Sequence, residues 1–229
     1  MNFDNCYFLI PARKGSKGFS FKNRKLFDYT ADTIPEEFKS KVFVSTDDDF
    51  IKDRAHLYGF NVIDRPAALS ADTSSMKDAV THFIQDKKIK KHHDIILLYL
   101  TYPERKWNDI IKIYKYFIDK KGSSLTCAEE ITEHPYLCFH DKEEGCEPLI
   151  DHSLYRRQDY PKCIKQSMFV ACYKASIVNN LHDLLFEKNT ILYKIVNKKI
   201  DIDYEKDYNK FNDTKRKNKM KVINLMELK

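Results

Sequence analysis

The chain is poor in residues that punctuate or loosen a backbone, with 5 glycines and 7 prolines among 229 residues. That scarcity excludes fibrous and low-complexity architectures, and a hydrophobic share of 42% excludes a disordered chain. No uninterrupted apolar run reaches the roughly 20 residues needed to cross a bilayer. The first apolar run, CYFLIP, follows acidic Asp4 and precedes the nearest cations, the wrong order for a secretory signal. A cytoplasmic location without a membrane partner is the expectation. The six cysteines (Cys6, Cys127, Cys138, Cys146, Cys163, Cys172) form no CxxC pair and no metal spacing with histidine. They read as free thiols in a reducing compartment, with a zinc site as the sharper alternative.

The net charge of +6 is concentrated in residues 87–91 and in the tail KRKNKMK, residues 215–221. Either stretch would attract polyanions. The tail has one nearby aromatic, Phe211, and so lacks a stacking platform for single-stranded nucleic acid, which is not an expected partner. His92 and His93, inside KKIKKHHD, read as part of a solvated charged face. No repeat and no linker divides the chain, which leaves a single domain over residues 1–211 and a basic tail over 212–229.

Periodicity supplies the architecture. Short apolar runs at 6–11, 41–46, 61–63, 94–100, 123–128, 166–173 and 191–196 read as strands, and the patterns at 48–58, 72–85, 107–119 and 204–211 read as helices. Their alternation implies an α/β fold with a mostly parallel twisted sheet and helices on both faces, with ligands beyond the carboxyl ends of the strands. Aromatic, glycine and proline residues break any helical period over 134–161, which reads as an excursion from the sheet, in the form of a hairpin.

Two constellations carry chemistry. After the first strand, RKGSKG and then KNRK gather cations and glycine amides at one strand end, the combination a phosphate cradle needs. The loop is not a Walker A motif, since GxxxxGK[ST] is absent, and on composition alone a solvated basic turn explains it equally well. Near the C-terminus, Asp201-Ile202-Asp203 ends an alternating run. Residues two apart in a strand share a side, so the two carboxylates would converge on one hard cation. Taken alone, a solvated acidic turn is the simpler reading. Asp47 and Asp48 directly follow a strand, where at least one is expected to cap the next helix.

The stretches IPARKGSKGFSFKN, VSTDDDFIKDRAHLYGFNV and RPAALSADTSS, in that order, resemble the signatures of the CMP-sialic acid synthetase (acylneuraminate cytidylyltransferase) family. The resemblance covers roughly residues 7–211. It implies a Rossmann-like nucleotidyltransferase fold in which the 134–161 excursion contributes to a homodimer. It implies transfer of CMP from CTP to an acidic, nonulosonate-like sugar, with Mg2+ as cofactor, in nucleotide-sugar synthesis for cell-surface polysaccharide. Arg13, Ser16, Lys17 and Lys22 would hold the triphosphate, with Arg13, Lys17 and Lys22 as the catalytic cations. Asn23, Arg65 and Ser75 would complete the nucleotide site, and Asp201 and Asp203 would bind the metal. Tyr99, Thr101, Arg156, Arg157 and Gln158 would meet the acceptor, the last three serving the neighbouring subunit.

The chain departs from the family where the acceptor is chosen. LLYLTYPER stands where the family carries LLQPTSPLR, so that a glutamine has become Tyr99 and a serine Tyr102. Ser167-Met168-Phe169 replaces Asn-Gly-Ala of the sugar pocket, and the segment between Leu26 and Val42 is shortened. A bulkier, more apolar pocket changes specificity, because a buried substrate group that loses its hydrogen-bonding partner goes unpaired. A phosphonate or other acidic acceptor, and a non-catalytic nucleotide-binding relative, are the alternative readings. No residue stands out as a general base.

Overall fold

A computed structural model describes residues 3–15 and 18–227, with side chains to residue 216. Its centre is a seven-stranded sheet in the order β3-β2-β1-β4-β8-β5-β9, built from β1 (Cys6–Pro11), β2 (Val42–Thr46), β3 (Asn61–Asp64), β4 (Asp94–Leu97), β5 (Ser124–Glu130), β8 (Ile164–Lys174) and β9 (Ile191–Lys194). All neighbours are parallel except β8, which runs antiparallel to both β4 and β5. The hairpin β6 (Phe139–Lys142) and β7 (Gly145–Pro148) forms a separate two-stranded sheet within the excursion.

Period-2 alternation divides the core between the two faces of the sheet. Phe8 and Ile10 of β1, with Ile96 of β4, face one layer, while Leu9, Ile95 and Leu97 face the other. The first layer is covered by α1 (Lys22–Ala31), α2 (Asp49–Leu57) and α5 (Trp107–Asp119), which contribute Leu26, Phe27, Ile51, Ile110 and Ile113. Phe38 and Trp107 lie there with ring centroids 4.8 Å apart. The second layer is covered by α4 (Met76–Asp86), through Val80 and Phe83, and by a 3-10 turn carrying Val178. A short helix α3 (Ala67–Ser70) precedes α4, and α6 (Glu205–Glu227) closes the described chain. Helix α6 continues past Phe211, so residues 212–227 of the expected tail are helical backbone.

The helix starts follow from capping. Asp48, 1% exposed, caps α2 by accepting from the Phe50 amide at 3.1 Å, and Ser75 caps α4 in a reciprocal box with Asp78. A cap by Asp47 or Asp48 was expected from sequence, whereas Ser75 was expected as a nucleotide contact. His93 departs from the solvated face assigned to it: it is half-buried against Tyr7, with ring centroids 5.4 Å apart. All six cysteines are unpaired, and burial pushes the Cys6 and Cys127 thiols up to about 12, the condition of inert core thiols. Among the described residues no helix is long and apolar enough to cross a membrane.

Phe83 is fully buried in the second layer, where its ring meets Phe43 with centroids 5.2 Å apart. Phe83→Ala is expected to cost about 3–5 kcal/mol, read as a fall in the urea midpoint at unchanged slope.

Candidate active site

The loop after β1 is pinned from several sides. Asp47 accepts the Lys14 amide at 2.7 Å, and Asn23 donates its side-chain amide to the Arg13 carbonyl at 2.8 Å. The Arg13 guanidinium reaches Asp72 at 2.9 Å, tying the loop to the segment before α4. At the start of α1, Arg24 makes two 2.8 Å bonds to Asp48 and lies 4.6 Å from the Phe21 ring centroid. Phe21 itself has a left-handed φ of 55°, a conformation that surrounding contacts must hold. Ser16 and Lys17, the centre of the expected cradle, lie outside the described residues.

Lys22 extends from this loop to Asp203, with Nζ 2.9 Å from Oδ1. Gly18 makes the approach possible: a Cβ there would stand 2.8 Å from the Asp203 carbonyl oxygen and 3.2 Å from the Tyr204 ring. Only glycine leaves room for backbone to pass backbone at that distance.

Asp201 and Asp203 do share an outward side, because Ile202 between them is fully buried, but the strand expected there is absent. The segment is held by one bond, from the Ile202 amide to the Thr101 carbonyl at 2.9 Å, and by Asp207, which accepts the Asp203 and Tyr204 amides at 3.3 and 2.9 Å. Tyr102 donates to Asp201 at 2.8 Å. Burial raises the Asp201 carboxyl above its ordinary value; hydrogen bonds from Thr101 and Tyr102 pull it down, Asp203 pushes it up and Lys22 opposes that push. No group of three or more His, Cys, Asp or Glu suited to a metal occurs among the described residues. Two carboxylates lining an open cleft would nonetheless suit Mg2+, which takes one or two carboxylates and completes its shell with water and substrate phosphates.

Arg65 is buried at 6% exposure, unlike the exposed turn arginine that its Arg-Pro context alone would suggest. Its Nε donates to Ser45 at 3.1 Å and one terminal nitrogen has no partner, so an inward-facing donor is left for a ligand. Burial pushes the guanidinium down to about 10, with Asp47 acting in the opposite direction. The Ser75 hydroxyl is engaged as the α4 cap, and Ser75 and Tyr99 together line a smaller cavity of about 310 Å³.

A cleft of about 560 Å³ is lined by the two aspartates together with Tyr102 and Ser167. Ser167 stands 3.3 Å from both the Tyr102 hydroxyl and Glu129. Sequence reasoning did not single out Glu129 or the lysines of this cleft, since they come from β5, β8 and the segments before and within α6. Arg105 was also missed. Fully buried, it bonds the Phe169 and Tyr99 carbonyls at 2.7 and 2.8 Å and the Thr30 hydroxyl at 2.9 Å, tying the end of β4 to β8 and α1. Arg156, Arg157 and Gln158 are exposed on the excursion and do not line the cleft of their own chain; Arg156 is paired with Asp159 at 2.8 Å.

The structure resembles that of CMP:2-keto-3-deoxy-manno-octonic acid synthetase complexed with CTP, with a TM-score of 0.65 and 14% identity over 94% of this chain and 100% of the other. It also resembles the 2-C-methyl-D-erythritol 4-phosphate cytidylyltransferase of Francisella tularensis, with a TM-score of 0.59 and 14% identity over 91% and 99% of the two chains. Among curated relatives, the N-acylneuraminate cytidylyltransferase of Streptococcus agalactiae serotype III (strain NEM316) is 28% identical over 162 residues, 66% of this chain and 39% of the relative. Its serotype V counterpart (strain ATCC BAA-611 / 2603 V/R) is 29% identical over the same shares. The matched part of this chain thus spans 39% of the length of these relatives. The family model described as cytidylyltransferase matches residues 7–223, from β1 into α6, and the chain belongs to that family.

Proposed function

We propose that the chain transfers CMP from CTP to an acidic sugar, a nonulosonate-like 2-keto acid, with release of pyrophosphate and with Mg2+ as cofactor. The observation that carries this reading is the meeting of a cationic strand-end loop with an Asp-x-Asp segment, through Lys22 and Asp203 at 2.9 Å across 181 residues of sequence. In the reaction the acceptor hydroxyl oxygen bonds to the α-phosphorus of CTP, the bond to the pyrophosphate oxygen breaks, and the hydroxyl proton passes to solvent. Negative charge grows on the leaving and non-bridging oxygens. Arg13, Lys17 and Lys22 stabilise that charge, and the unpartnered donor of Arg65 adds a hydrogen bond to the nucleotide. Asp201 and Asp203 would hold the cation, which would neutralise phosphate charge when bound. Lys22, now paired with Asp203, would be free to turn to a phosphate oxygen.

The excursion supports a homodimer. Its hairpin region exposes Phe139, Leu149 and Tyr155, the last 95% exposed, and the acceptor-binding role of Arg156, Arg157 and Gln158 depends on reaching a neighbouring subunit. A cytoplasmic site of action is part of the same reading.

Pyrophosphate release from CTP and magnesium, assayed over a panel of nonulosonates, octulosonates and phosphonates, is the direct test. Release with an acidic sugar is expected; bound CTP without release on any acceptor would refute the transferase reading. Asp203→Asn is expected to abolish turnover at an unchanged circular dichroism spectrum, and normal turnover would remove the metal assignment.

Ser75 separates a cap from a nucleotide contact. Glycine costs a helix start only a few tenths of a kcal/mol, roughly, whereas alanine costs about 1 kcal/mol. Ser75→Gly is therefore expected to leave the melting temperature nearly unchanged and to raise KM for CTP. An unchanged KM would leave Ser75 as a cap alone.

A further inference from the structure

The main cleft is lined by five lysines drawn from three parts of the chain: Lys165 at the start of β8, Lys198 and Lys199 before the Asp-x-Asp segment, and Lys206 and Lys210 on α6. None of the five forms an ion pair among the described residues, whereas Lys22, across the aspartates, is paired with Asp203. Two are steadied by rings instead: Lys199 Nζ lies 5.4 Å from the Phe169 centroid and Lys206 Nζ 5.3 Å from that of Tyr204. Lys206 and Lys210 are four residues apart on one helix and so neighbour each other on its surface.

Of the carboxylates in the same cleft, Asp203 is paired with Lys22, while Glu129, Asp201 and Asp207 accept hydrogen bonds from uncharged groups. The five lysines outnumber these three carboxylates, so an excess of positive charge faces whatever fills the cleft. A single carboxylate is gripped by one or two cations. Lysines from separate elements, around a volume of about 560 Å³, exceed what a monoacid requires. They are also distinct from the nucleotide cations Arg13, Lys22 and Arg65, none of which lines this cleft.

We infer that the acceptor carries at least two anionic groups, a sugar carboxylate together with a phosphate monoester or an equivalent second acid, and that Lys165, Lys198 and Lys199 determine this specificity. The inference rests on the cytidylyltransferase reading of the adjoining site. Each lysine acts as a point charge on a flexible stem, suited to an anion of variable position, whereas a fixed arginine fork would suit a single planar carboxylate.

The test compares N-acetylneuraminate and 2-keto-3-deoxyoctulosonate with their phosphate monoesters. Binding is measured by calorimetry with and without CTP, turnover by pyrophosphate release, and CTP affinity separately in the absence of acceptor. The monoesters are expected to bind at least about tenfold more tightly than the parent acids, which corresponds to about 1.4 kcal/mol. This advantage is expected to shrink as salt rises. It is expected to disappear in the Lys198→Met/Lys199→Met double variant and to return in the Lys198→Arg/Lys199→Arg variant, which retains the charge and guards against misfolding. Equal binding of acid and monoester by the intact protein would overturn the inference while CTP binding stood. An advantage that survives the methionine variant would overturn the assignment to these lysines. Failure to bind CTP would instead remove the reading on which the inference rests, and the calorimetry without CTP would still report the charge preference.

Discussion

The candidate site depends on one close approach, that of the loop after β1 to the segment carrying Asp201 and Asp203. Nearly the whole chain separates the two in sequence, and no sheet ladder joins them. Gly18 allows the Asp203 carbonyl to within a distance that any Cβ would forbid, and Lys22 closes the contact with an ion pair. Around it, Phe19 meets Tyr208 and Tyr29 meets Phe211, with ring centroids 5.3 Å apart in both cases, so α6 is seated on the same loop and helix. Without this contact the cations and carboxylates would belong to unrelated surfaces.

The same contact sets the electrostatics. An ion pair with one exposed partner contributes little to stability, because solvent screens it. The Lys22–Asp203 pair is therefore inexpensive to break, while it keeps both groups oriented. Asp201 differs from its neighbour. Burial disfavours its charge, and the Thr101 and Tyr102 hydroxyls offset only part of that cost. A positive charge placed beside it would relieve this tension.

Legibility in sequence followed locality. The strands of the sheet, the span of α5 and the cap at Asp48 could be read because each is encoded within a few residues. The extended Asp201–Asp203 stretch was legible as an alternation but not in its lack of a ladder, since pairing depends on which strand end lies alongside. Arg65 was singled out only through the resemblance, since nothing in its local Arg-Pro context signals that the fold buries it against Ser45. Arg105 and the cleft lysines left no local trace at all: Arg105 is defined by carbonyls from β8 and from the turn after β4, and the lysines by the convergence of three elements.

The antiparallel strand β8 brings a different kind of strand end to the cleft than its parallel neighbours do. Parallel strands β1, β2 and β4 deliver their carboxyl ends to the site, and a further parallel strand would deliver only another such end. Running the other way, β8 enters the site with its first residues, so that Lys165 pairs in register with Glu129 and Ser167 reaches Tyr102. Those first residues follow directly from the 134–161 excursion, whose exposed surface is freer to change than the packed sheet. Changes in the excursion and in the entry to β8 can therefore reshape this wall of the cleft without disturbing the loop after β1. The buried remainder of β8, held by Arg105 through the Phe169 carbonyl, keeps the wall aligned with the aspartates whatever its side chains become.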